Sequence, residues 1–140
     1  MEAFSSTQRF RMWEYIVSHS TLLLRHRSDF TTVDIIFSGV DYLEIPDMFN
    51  GLIIDAPNAQ EEERLLVRAN KREENGRLPN YRSYLLLTEG RRFFVVAASC
   101  VICESEAGIQ GLLDWGDRSQ INIIYTSLNP SAEAYQSQNQ

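Results

Sequence analysis

Lysine is nearly missing from this sequence. Lys71 stands alone beside twelve arginines. Arginine's planar fork suits bidentate ion pairs, yet an arginine-rich coding bias gives the same excess, so it assigns no role. Histidine is limited to His19 and His26, and cysteine to Cys100 and Cys103. Two cysteines make no secreted disulfide framework. They form one C-x-x-C, and a zinc site of that kind needs a second pair. The histidines have no ligands at metal spacing. H-E-x-x-H, G-x-S-x-G and the glycine-rich phosphate loops are all absent. No apolar run approaches the roughly 18 residues of a membrane span, and the start, MEAFSSTQRFRMW, lacks a signal-peptide core. The expectation is a cytoplasmic protein with no membrane contact, no metal and no cofactor. Basic charge is also in deficit. Nineteen acids against thirteen bases leave a net charge of −6, which argues against nucleic acid and for a basic partner at long range.

What is present in quantity is apolar residue. At 44% hydrophobic, 140 residues suffice for one domain with a full core. The richest stretch is Tyr84 to Ile102, YLLLTEGRRFFVVAASCVI. Glu89-Gly90 reads as a two-residue turn, where glycine takes positive φ at little cost. That turn pairs Thr88 with Arg91, Leu86 with Phe93 and Leu85 with Phe94. A three-residue loop would set Leu87 and Leu86 against Arg91 and Arg92, a poorer match. Phe93 to Ala98 has no polar residue on either parity, so both faces of that strand should be buried, with a layer on each side.

Met1 to Thr7 reads as a short loose end. Gln8 to Val17, rich in aromatic and β-branched residues, reads as a strand. Ser18-His19-Ser20 turns the chain into a second strand, Thr21 to Arg27. Thr31 to Phe37 alternates as a strand, Gly39 marks a bulge or bend, and Val40 to Ile45 continues until Pro46. Leu52 to Ile54 is a further short strand. Asn58 with Glu61 makes a capping box, and Asn75-Gly76 a stop, which predicts a helix from about 59 to 74. Its stripe is narrow, Leu65, Leu66 and Ala69, with Val67 to one side, so it should lie on the surface. Ile121 to Thr126 is a last strand, and 129–140 a polar tail.

The result is a mainly β chain (α+β) of about eight strands and one surface helix near 59–74. It forms one domain over 1–128 with a disordered tail over 129–140. Short connections make the pairing antiparallel. One helix cannot cover both faces of an open eight-stranded sheet, so the sheet should roll up or close as a small barrel. A two-sheet sandwich is the alternative.

Several residues invite a chemical reading. Cys100 and Cys103, three apart on a strand, point to opposite faces, which favours burial over redox chemistry. His19 and His26 could approach across a hairpin, but no nucleophile or ligand accompanies them. Asp41, Glu44, Asp47 and Asp55 match no calcium loop. Arg25-His26-Arg27, Arg91-Arg92 and Arg68-Lys71-Arg72 could form a basic stripe with aromatic platforms, though acids in excess favour ion pairing instead. Asp114-Trp115-Gly116-Asp117 sets a large aromatic in an acidic loop. This makes Asp114, Trp115 and Asp117 the candidate partner-binding residues. The function expected is a non-catalytic, acidic protein-interaction domain that binds another protein, with homodimerisation through an edge strand as a further form. The alternative is a ligand-binding or enzymatic barrel with a pocket lined by Trp13, Tyr15, His19 and Tyr42.

Overall fold

The computed structural model describes residues 3–69, 81–106 and 121–127. The chain runs through β1 (Phe4–Ile16), a 3-10 turn (Val17–His19), β2 (Thr21–Arg27), β3 (Thr32–Glu44) and β4 (Met48–Asp55). It continues through α1 (Ala59–Arg68), β5 (Arg82–Thr88), β6 (Arg91–Ser105) and β7 (Asn122–Thr126). All strand pairs are antiparallel, in the order β3-β2-β1-β4-β5-β6-β7. A further pairing of β3 with β6 closes six of the seven strands into a ring. The sheet is the rolled, barrel-like form the sequence predicts.

The β5–β6 hairpin has the expected two-residue register, with Thr88 opposite Arg91, Leu86 opposite Phe93 and Leu85 opposite Phe94. Both turn residues take positive φ, Glu89 at 51° and Gly90 at 73°, the hairpin geometry that matches strand twist. The stretch after the turn is buried on both faces. Val95 and Ala97 enter the interior cluster with Phe10, Phe37, Phe49 and Leu86. Phe94 and Val96 face outward and are covered by Leu65 of α1.

Inside-facing residues of β6 change from odd to even numbers along its length: Val95 and Ala97, then Cys100 and Ile102. The change falls where Gly39 lies against Ala98. A Cβ on Gly39 would sit 2.8 Å from the Ala98 Cβ, and its φ is +65°. This is the bend anticipated at Gly39, but it does not end the strand. The segments read as two strands, 31–37 and 40–45, are one continuous β3, so the described residues hold seven strands where the sequence suggested about eight. Ladder hydrogen bonds to β6 on both sides of the bend hold the segments together.

Two other expectations need correction. The start of the chain, expected to be loose as far as Thr7, is strand from Phe4 onward. β1 begins at Phe4, because Phe4, Ser5 and Ser6 pair with Ile54, Ile53 and Leu52. Likewise β4 begins at Met48 rather than Leu52, carried through Gly51 at φ +79°. In both cases polar residues join a strand because the partner strand offers unpaired backbone groups.

The helix starts where predicted. Asn58 Oδ1 accepts from the Glu61 amide at 2.8 Å, and the Asn58 amide donates to Glu61 Oε1 at 3.0 Å. Leu65 is fully buried and Val67 exposed. Residues beyond Ala69 in the predicted helix, and the polar tail, lie outside the described residues. Two ion pairs hold α1 to the sheet: Glu61 with Arg92 at 2.6 Å and Arg64 with Glu44 at 3.1 Å. The end of β7 is pinned separately. The Cys100 amide donates to Ser127 Oγ at 3.0 Å, and the Tyr84 and Ser127 hydroxyls hydrogen-bond to each other. Burial pushes the Tyr84 hydroxyl above its ordinary pKa, so it stays a neutral hydrogen-bonding group.

Candidate functional site

The site grows from one strand whose two edges are paired over different lengths. β1 pairs with β2 from Arg11 to Ile16 and with β4 from Phe4 to Arg11. Past Arg11, β1 and β2 are no longer paired, and the gap between them is a cleft of about 350 Å³ lined by Arg9, Arg11, Trp13, Arg25, His26 and Arg27. Alternation explains why four arginines meet there. Phe10 and Met12 pack on the interior, as do Leu22 and Leu24. Arg9 and Arg11, and Arg25 and Arg27, therefore project outward from neighbouring strands. Trp13 shares the parity of Arg9 and Arg11, so alternation puts it on the same face, and it is the extra residue at a register shift between Met12 and Glu14.

The floor of the cleft is an ion pair. Arg25 donates through Nε to Asp34 Oδ1 at 2.6 Å and through Nη2 to Oδ2 at 3.1 Å, and both side chains are buried. The Arg25 guanidinium also lies 5.0 Å from the centre of the Trp13 ring. One wall is tied to the scaffold as well. Arg9 Nε donates to Asn50 Oδ1 at 3.0 Å, and His26 Nδ1 lies 2.9 Å from the Arg9 carbonyl oxygen. Arg11 sits directly across the ladder from Arg25. Like charges in that position destabilise a sheet. Neither Arg11 nor Arg27 makes an ion pair among the described residues. The arrangement presents a cationic, tryptophan-flanked hollow on a protein whose net charge is −6.

No protein-family model, curated protein or solved structure matches this chain. The site is therefore read from its own geometry.

The structure distributes the sequence candidates widely. Asp114, Trp115 and Asp117 lie outside the described residues. Of Trp13, Tyr15, His19 and Tyr42, only Trp13 reaches the cleft. Tyr15 is an exposed β1 residue, and His19 is exposed in the 3-10 turn, its Nδ1 2.9 Å from Ser18 Oγ. Tyr42 packs beside α1 and donates to Glu44 Oε2 at 2.9 Å. His19 and His26 do not approach each other. They lie at opposite ends of β2, roughly 20 Å apart at strand rise.

The cysteines separate as their spacing requires. Cys100 joins the interior cluster and Cys103 an outer one with Leu23 and Ile36. Burial raises both thiols, Cys103 to about 11, so neither is a thiolate at neutral pH. Asp55 accepts from the Ala56 amide at 2.7 Å, and Glu44 is engaged by Arg64. No grouping of three or more potential metal ligands occurs among the described residues.

Arg9 and Arg11 escaped the sequence reading, which treated Arg25-His26-Arg27 as part of a dispersed stripe. The signal was available. R-F-R-M-W places two arginines on one parity beside a tryptophan. The hairpin already inferred brings that parity next to Arg25 and Arg27.

A second hollow, about 470 Å³, lies between β1, β4 and the β5–β6 turn. It is lined by small residues, among them Ser5, Ser6, Thr7 and Gly51. Its one carboxylate, Glu89, is taken by Asn50 at 3.0 Å. It is larger than the arginine cleft but carries no convergent charge.

Proposed function

We propose that this protein is a non-catalytic, acidic cytoplasmic interaction domain that binds another protein through the arginine–tryptophan face of β1 and β2. The carrying observation is the contrast between interior and surface. Fifteen buried residues form the interior cluster of the ring, and the polar, aromatic cleft lies outside it. Trp13, 48% exposed, is the type of side chain that anchors protein contacts, and arginine is the charged residue most often found with it. Net charge −6 supports steering of a basic partner from a distance. At the point of contact the cleft supports an acidic group. The Trp115 loop remains a candidate second anchor. No helix among the described residues is long and apolar enough to cross a membrane.

Affinity capture with the full chain and with Trp13→Ala and Trp115→Ala tests it. A partner retained by the native protein and lost by a folded Trp13→Ala variant is the expected result. Turnover of a small substrate by a protein that captures no macromolecule overturns it.

The second reading, a ligand-binding or enzymatic barrel, draws its support from the 470 Å³ hollow at Gly51. It requires a small molecule whose binding shifts the amide resonances of Ser6, Gly51 and Thr88.

A further inference from the structure

Four arginines crowded around one exposed tryptophan raise the question of which anion fits. Arg25 is forked to Asp34 and Arg9 is tethered to Asn50. Their charges set the field of the cleft, while their geometry is already committed. Arg11 and Arg27 are exposed, sit on neighbouring strands, Arg11 two residues from Arg9 on β1 and Arg27 next to His26 on β2, and make no ion pair among the described residues. Each retains a planar set of donors suited to a tetrahedral oxyanion. We propose, on the basis of the interaction reading above, that the cleft is a recognition site for a phosphate monoester carried on a segment of the protein partner.

Three observations favour this ligand over other anions. The first is charge density. Among the described residues four guanidiniums and no carboxylate line the cleft, with Asp34 forked to Arg25, which favours a compact dianion over a lone carboxylate. The second is extent. Nucleic-acid binding draws its affinity from many phosphate contacts along a track, whereas these arginines share one hollow of about 350 Å³. Away from it Arg92 and Arg64 are paired with Glu61 and Glu44, and the net charge of −6 repels a long polyanion. The third is the rim. Trp13 lies half-exposed at the edge of the cleft, giving an apolar surface for the residues flanking a phosphorylated position. A free phosphate ion has no use for it.

The test is an NMR titration of the full chain. The probes are an alanine-rich peptide bearing one phosphoserine, the same peptide without phosphate, inorganic phosphate and a single-stranded oligonucleotide. The expected result is saturable binding of the phosphopeptide, with shifts at the Arg11 and Arg27 Nε–H groups and the Trp13 indole. The unphosphorylated peptide should bind about tenfold more weakly or worse, since charged hydrogen bonds of this kind are worth that much each. Inorganic phosphate should shift the arginines and leave the Trp13 indole unmoved. The double variant Arg11→Ala/Arg27→Ala should lose the phosphate-dependent shifts while its amide spectrum stays native. Arg11→Lys/Arg27→Lys, which keeps the charge and removes the fork, should lose several-fold in affinity. Equal binding of both peptides, preferential binding of the oligonucleotide, or phosphopeptide binding unchanged in either double variant overturns the proposal. A partner captured through Trp13 whose binding ignores phosphate sinks this assignment and leaves the interaction reading intact. Phosphopeptide binding at the cleft without any captured partner does the reverse.

Discussion

Gly39 is the residue on which the sheet's curvature turns. Its φ of +65° and the 2.8 Å approach of a notional Cβ to Ala98 act together. Gly39→Ala should cost about 1–2 kcal/mol for the left-handed backbone and about 1–3 kcal/mol more for the clash, read from chemical denaturation. Gly90 differs, with φ +73° and open space around it, so Gly90→Ala should cost only the backbone share, about 1 kcal/mol. Asp34 gives a second residue-scale prediction. Removing one member of a buried, forked pair leaves the other charge buried, so Asp34→Ala should destabilise by about 3 kcal/mol. The double change Arg25→Met/Asp34→Leu should recover much of that loss, since an apolar pair of similar volume needs no compensation.

At the scale of elements, α1 is held by a narrow contact. Leu65 alone is fully buried on it, against Leu85, Phe94 and Val96. Leu65→Ala should cost about 2–4 kcal/mol by leaving a cavity, whereas Val67→Ala on the exposed face should be nearly silent. The same contact should weaken in acid. The Arg92 fork holds the Glu61 carboxyl below its ordinary pKa of 4.5. Burial pushes Glu44 up, but hydrogen bonds from Arg64 and Tyr42 outweigh it and leave that carboxyl low too. A carboxyl whose folded pKa is depressed stabilises fully above its unfolded value and loses that contribution as pH falls through the folded one. Thermal stability should therefore hold above about pH 4.5 and decline below it, and Glu61→Gln should flatten the decline. A Glu61→Gln curve that parallels the native one would show that the ion pair carries no stability.

On the scale of the whole molecule, ring closure joins distant parts of the chain. Phe37 pairs with Cys100 and Phe4 with Ile54. Such long-range pairing must overcome loop-closure entropy before it is rewarded, so folding should take milliseconds to seconds; a microsecond phase carrying the full amplitude in rapid mixing would contradict this. Much of this architecture was legible in the chain alone. The two-residue turn at Glu89-Gly90, the Asn58 capping box and the doubly buried Phe93–Ala98 stretch are local or periodic signals. They follow from φ preference, capping hydrogen bonds and the absence of polar residues on either parity. The extra strand length at 4–7 and 48–51 was not legible, because Ser5, Ser6, Thr7, Asn50 and Gly51 break the apolar pattern there and become strand only when a neighbour supplies ladder partners. The cleft followed the same division. Sequence determined that Arg9, Arg11, Arg25 and Arg27 would face outward, since alternation depends on the backbone. Only the tertiary structure decided that the β1–β2 ladder would stop at Arg11 while the opposite edge of β1 goes on pairing with β4, because the extent of each ladder depends on how the ring closes. The opening left there, with Trp13 on the same face, gathers dispersed positive charge into one place.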